Sequence, residues 1–129
     1  MFESERLARK LFERSALGQQ SENLDLLHPE VEIAPRYDTS ITVSRAELEA
    51  HLMSHEEPAV LEAVAHSYSP IGDERIIVEG QVLLRTPERG FSYRSAVWAL
   101  IFLDGLLYRS WCVASVHEAE VVLVSSSRT

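Results

Sequence analysis

With 20 acidic against 12 basic side chains, a formal charge of -8 and no basic cluster, this 129-residue chain is ill suited to a nucleic-acid backbone or an anionic membrane surface. Its length fits one domain with an ordinary core, its single cysteine rules out an internal disulfide, and no apolar run is long enough to span a bilayer. The opening Met1-Phe2-Glu3-Ser4-Glu5-Arg6 has neither the positive start nor the apolar run of a signal peptide, so a cytoplasmic protein is expected.

From Glu3 to Leu17 the positions Leu7, Ala8, Leu11, Phe12 and Ser15 recur every three or four residues, and Gly18 follows where a helix C-terminus favours glycine. That spacing predicts an amphipathic helix. A shorter helix is expected from Ser21, carrying Leu24 and Leu27, and ending at His28-Pro29. Val31, Ile33 and Pro35 alternate as a short edge strand, and 36–43 read as a loop from which Tyr37 and Asp38 reach towards a pocket mouth. Ser44-Arg45-Ala46-Glu47 is a capping box opening a helix through Leu48 and Leu52.

Residues Ala59 to Ser115 read as two hairpins laid end to end. Gly72-Asp73 and Asp104-Gly105 are two-residue turns, setting Ile71 opposite Glu74 and Leu103 opposite Leu106. Thr86-Pro87-Glu88-Arg89-Gly90-Phe91 suits a four-residue loop with Thr86 facing Phe91 and Gly90 left-handed. Ser115-Val116-His117-Glu118 repeats the capping pattern ahead of a short helix to Leu123, and Ser125 to Thr129 is expected to be a disordered tail to a single domain over 1–124.

Those registers sort the sheet into two faces. One carries His66, Glu79, Trp98 and Trp111 in a row, flanked by Tyr68, Ile77, Leu100 and Arg109 and by Val64, Gln81, Ala96 and Val113, with Arg94 on the same side. Bulky walls with a few polar groups suit a small-molecule pocket. The other, with Ala63, Ala65, Ser67, Val78, Gly80, Val82, Ser95, Val97, Ala99, Ile101, Ser110, Cys112 and Ala114, is small and nearly uncharged. It is assigned to a homodimer interface through the outer sheet face.

Helix, helix, short strand, helix and a long antiparallel meander make an α+β domain. That order, with His28-Pro29-Glu30-Val31 closing the second helix, His66-Ser67-Tyr68-Ser69-Pro70-Ile71-Gly72-Asp73 at the first hairpin and Phe102-Leu103-Asp104-Gly105 at the last, resembles the nuclear-transport-factor-2-like superfamily, and within it the SnoaL-like polyketide cyclase group. The resemblance covers nearly the whole chain. It implies a cone-shaped α+β barrel, commonly dimeric, whose pocket lies between a curved sheet and its helices. The superfamily includes ketosteroid isomerases, an epoxide hydrolase, cyclases, dehydratases and non-catalytic members, so fold alone assigns no activity. No aspartate falls on the pocket face derived above, and an Asp-Arg-Asp set is absent, so neither isomerase nor epoxide hydrolase chemistry carries over.

Among pocket residues, His66 opposite Glu79 fits a general base at neutral pH, the carboxylate fixing the tautomer and raising the basicity of the imidazole. A structural His/Glu pair explains the same spacing. Trp98 and Trp111 in register either line a pocket for a flat ring or fill it; Tyr68 and Gln81 offer hydrogen bonds, and Arg109 a contact for a ligand carboxylate. His51 and His55, four apart, do not make a metal site by themselves, and no motif calls for a cofactor. Two functions follow: a small-molecule-binding domain acting as a cofactor-free isomerase, cyclase or dehydratase on a ring-containing substrate, or a non-catalytic binding or assembly module.

Overall fold

A computed structural model describes residues 2–16, 25–34, 43–47, 60–86 and 90–126. Helix α1 (Glu3–Ala16) buries Leu7, Ala8 and Phe12, as its periodicity predicts, and holds Glu3 and Glu5 in a first turn that favours negative charge. The strands are β1 (Leu27–Ala34), β2 (Val43–Ser44), β3 (Val60–Pro70), β4 (Arg75–Thr86), β5 (Gly90–Leu103) and β6 (Leu106–Val113), followed by helix α2 (Val116–Ser126). They form one sheet in the order β2-β1-β6-β5-β4-β3, with β1 parallel to β6 and the other pairs antiparallel. The five long strands curve into an open sheet with helices, an α+β fold.

Leu27 and His28, expected to end a helix, instead begin β1, and Leu27 is buried. The residue before a proline avoids helical geometry because it prefers extended backbone, so His28-Pro29 serves a strand as readily as a helix end. Ser21, Leu24, Gly18 and most of the loop after Pro35, with Tyr37 and Asp38, lie outside the described residues, as do His51 and His55. The capping box is formed: the Glu47 amide donates to Ser44 Oγ at 3.3 Å, and the Ser44 amide donates to Glu47 Oε1 at 3.5 Å. A second cap opens α2, where the Glu118 amide donates to Ser115 Oγ at 3.2 Å. This helix continues to Ser126, beyond the expected end at Leu123.

The hairpins depart from expectation in three places. The last turn is as predicted, with Leu103 opposite Leu106 and Asp104 and Gly105 at φ 55° and 78°. Next to it, however, a bulge at Tyr108 shifts β6 by one residue, so that Ala99 rather than Trp98 faces Trp111. Gly90 is left-handed at φ 73°, yet Thr86 pairs with Gly90 instead of Phe91, which moves β4 against β5 by one residue. At the first hairpin Pro70 pairs with Ile76 around a loop wider than two residues, and a bulge at His66 then restores the expected pairing of Val64 with Gln81.

A one-residue slip moves every side chain of a strand to the opposite face. The small outer face predicted above is therefore divided between the two sides. Ala63, Ala65, Val78, Val82 and Cys112 pack on the core beneath α1, whereas Val97, Ala99 and Ile101 pack with Ile77 and Val113 beneath α2.

Candidate functional site

Side chains under α1 fall into cross-strand rows. One runs Tyr68, Val78, Trp98, Cys112; the next is Ala65, Gly80, Ala96; the third is Ala63, Val82, Arg94. Below the Tyr68 row lies Pro70, Ile76, Leu100, Ser110. In the middle row no side chain extends beyond Cβ, so the floor sinks between Trp98 and Tyr68 on one side and Val82 and Arg94 on the other. Ala63 and Ala65 face α1 yet stay partly accessible.

Gly80 and His66 create this shape. A Cβ at Gly80 would overlap the Val64 carbonyl oxygen and stand 3.0 Å from Ala65 Cα, so only glycine allows the sheet to fold here. The His66 bulge on the adjacent strand adds local bend and twist. The sheet is concave on the side Gly80 faces, the side of α1.

Helix α1 is moored across this hollow by the turn after β3. Ser4, fully buried, donates from Oγ to the Gly72 carbonyl at 2.6 Å, and the Glu3 amide donates to Asp73 Oδ1 at 3.2 Å. Further along, the Phe12 ring meets Trp98 edge-on at 4.8 Å and Tyr68 at 6.3 Å between centroids. Arg9, paired with Glu5 at 3.1 Å, lays its guanidinium 4.4 Å from the Tyr68 ring centroid. Burial raises the Tyr68 phenol above its usual pKa, against the opposing pull of Arg9. Tyr68 thus remains a proton-bearing donor at neutral pH.

The pocket residues expected from sequence are not brought together. Trp98 and Tyr68 lie on the concave face. Trp111 lies on the convex face against the α2 core, and alternation places Glu79 and Gln81 on that face too. His66 is the bulged residue, exposed and out of register with Glu79; Ser67 takes the position opposite Glu79 and donates from Oγ to its carboxylate at 3.3 Å. Arg109, also convex, donates to the carbonyls of Glu30 and Tyr108 at 2.9 and 2.8 Å, lies 3.5 Å from Glu32 and stacks over Tyr108 at 3.9 Å. These contacts tie β6 to β1. Tyr37 is outside the described residues.

Phe12 and Arg9 were missed as site residues, although Phe12 sits on the apolar stripe of α1, and that signal pointed to the sheet it covers. Among the described residues no group of three or more acidic, histidine or cysteine side chains is placed to hold a metal. A separate open cavity of about 420 Å³, lined by Ile71, Gly72, Asp73, Glu74 and Arg75, lies on the mooring turn, away from the small-residue floor.

No known protein family matches the chain by sequence, and neither does any curated protein. Solved structures do match. A Mycobacterium tuberculosis protein in complex with estradiol-17β-hemisuccinate superposes with a TM-score of 0.71 at 10% identity, covering 91% of this chain and 97% of that one. The Δ5-3-ketosteroid isomerase of a Mycobacterium species gives 0.69 at 12% identity over 91% and 96%. A SnoaL-like polyketide cyclase structure from Jannaschia sp. CCS1 gives 0.66 at 11% over 92% and 90%. The fold is the nuclear-transport-factor-2-like α+β cone, as the order of elements implied.

Proposed function

We propose that the chain binds a ring-containing, largely apolar small molecule between α1 and the concave face of the sheet, with Trp98 as the wall for a flat ring and Tyr68 as hydrogen-bond donor. The observation that carries this is the sunken row Ala65, Gly80, Ala96, bounded on one side by Trp98 and Tyr68, with Ala65 and Gly80 left partly accessible. Similarity of fold to a protein crystallised with a steroid ester and to a steroid isomerase supports a ligand of that size. A reaction of the isomerase, cyclase or dehydratase type would draw its proton donor from Tyr68. A His66/Glu79 base has less support, because the bulge takes the two out of register. The alternative in which both tryptophans fill the pocket lacks support, since Trp111 is on the other face.

A homodimer is the second part of this reading. Helix α2 covers Val97, Ala99 and Ile101 but leaves open the end of the convex face carrying Leu83 and Tyr93, the latter 59% exposed. No helix among the described residues is long and apolar enough to cross a membrane, and the acidic composition with one buried cysteine supports a cytoplasmic protein.

Thermal denaturation with steroid ketones, flat lactones and phenols tests the pocket. A ligand at a hundred times its Kd adds about 2.7 kcal/mol, a rise in Tm of roughly 10 °C for a domain of this size. Ala65→Leu, which fills the floor, is expected to remove that rise. A ligand that stabilises the variant and the parent equally binds elsewhere.

A further inference from the structure

The geometry points to a ligand with an anionic end, a carboxylate or comparable acid group, held by Arg94 at the margin of the hollow; the inference rests on the concave-face pocket proposed above. In the four concave rows Arg94 is the one charged side chain. It stands opposite Val82, which is 3% exposed, and two residues before Ala96, which is 2% exposed, so its stem leaves an apolar surface.

Four other described arginines are already engaged, and Arg75, whose buried Nε has no partner among the described residues, lies on the mooring turn away from these rows. Arg6 pairs with Glu3, Arg9 with Glu5, Arg45 donates to the Leu27 carbonyl, and Arg109 ties β1 to β6. Among the described residues no carboxylate or carbonyl takes up Arg94. A guanidinium at the edge of an apolar floor, with no acid in the four described rows of its face, matches the anionic head of an acid whose ring system lies on Ala65, Gly80 and Ala96. The excess of acidic groups elsewhere on the chain makes this local charge the discriminating feature: a free acid gains only where its head meets Arg94.

Two dyes with one skeleton separate these terms: anilinonaphthalene sulfonate and its uncharged analogue N-phenylnaphthylamine. Binding is read by quenching of Trp98 in a Trp111→Phe background, so that only dye on the concave face counts. The expected result is tighter binding of the sulfonate, weakened about tenfold by Arg94→Gln and progressively by added salt, with the neutral dye unaffected by either. Arg94→Lys should retain part of the preference. If both dyes quench Trp98 but Arg94→Gln leaves the sulfonate unchanged, Arg94 is a solvated side chain and the anionic ligand is wrong while the pocket stands. If neither dye quenches Trp98, the pocket is wrong and this inference falls with it.

Discussion

Tyr68 and Arg109 show how one side chain's surroundings decide its use. Burial raises the Tyr68 phenol, so the folded state holds its proton to higher pH than the unfolded chain, whose tyrosines titrate near ~10. The sign follows: this contribution to stability is complete below the unfolded pKa and is lost as pH rises through the folded one. Tyr68→Phe should flatten the alkaline fall in stability and remove one late-titrating tyrosinate from the absorbance curve; an unchanged curve would mean that the phenol is solvated. Arg109 instead spends its donors on two carbonyls and its charge on Glu32. Arg109→Ala is expected to cost about 1 kcal/mol in urea denaturation, because an exposed and a part-buried carbonyl lose their shared donor, and to leave ligand affinity unchanged.

At the scale of elements, the turns were legible and the registers were not. Asp104-Gly105, the capping box at Ser44, the Ser115 cap and the stripe of α1 are local signals, each satisfied within a few residues, and each is present. Bulges at His66 and Tyr108 leave no such mark, since a bulge is set by how neighbouring strands must twist and curve. As a result the expected face of β5 agrees with the structure, Arg94, Ala96, Trp98 and Leu100 lying on the concave side, whereas the faces of β4 and β6 are the reverse of those expected. Gly80 was read as a small residue for close packing of another molecule; its partner in close approach is the adjacent strand. Gly80→Ala should therefore destabilise the domain by about 1–3 kcal/mol, more than the same change at half-buried Gly72, where an added Cβ would meet no atom within 4 Å. Equal Tm values for the two variants would contradict the bend assigned to Gly80.

For the whole molecule, the order of elements was enough to reach the fold, because helices, hairpins and strand count depend on periodicity and turn chemistry rather than register. The site depends on register, and among the described residues of the expected set only Trp98 and Tyr68 share the concave face. The surface proposed for a dimer moves for the same reason. Ala99, first expected on an open face, is fully buried under α2, so Ala99→Arg would disrupt the core, and the informative variant is Tyr93→Arg. Sedimentation should give twice the 14.6 kDa chain mass for the parent and the single mass for Tyr93→Arg, with equal Tm at low concentration. A parent that sediments as a monomer excludes the interface.

The central claim is that ligand occupies the α1 side of the sheet, and the two tryptophans, on opposite faces, allow a direct test. Single-tryptophan variants, Trp111→Phe and Trp98→Phe, are titrated with a ligand that stabilises the parent. Emission from Trp98 should shift or quench with saturation, while emission from Trp111 stays constant. A response from Trp111 with none from Trp98 would place the ligand on the convex face and contradict the account.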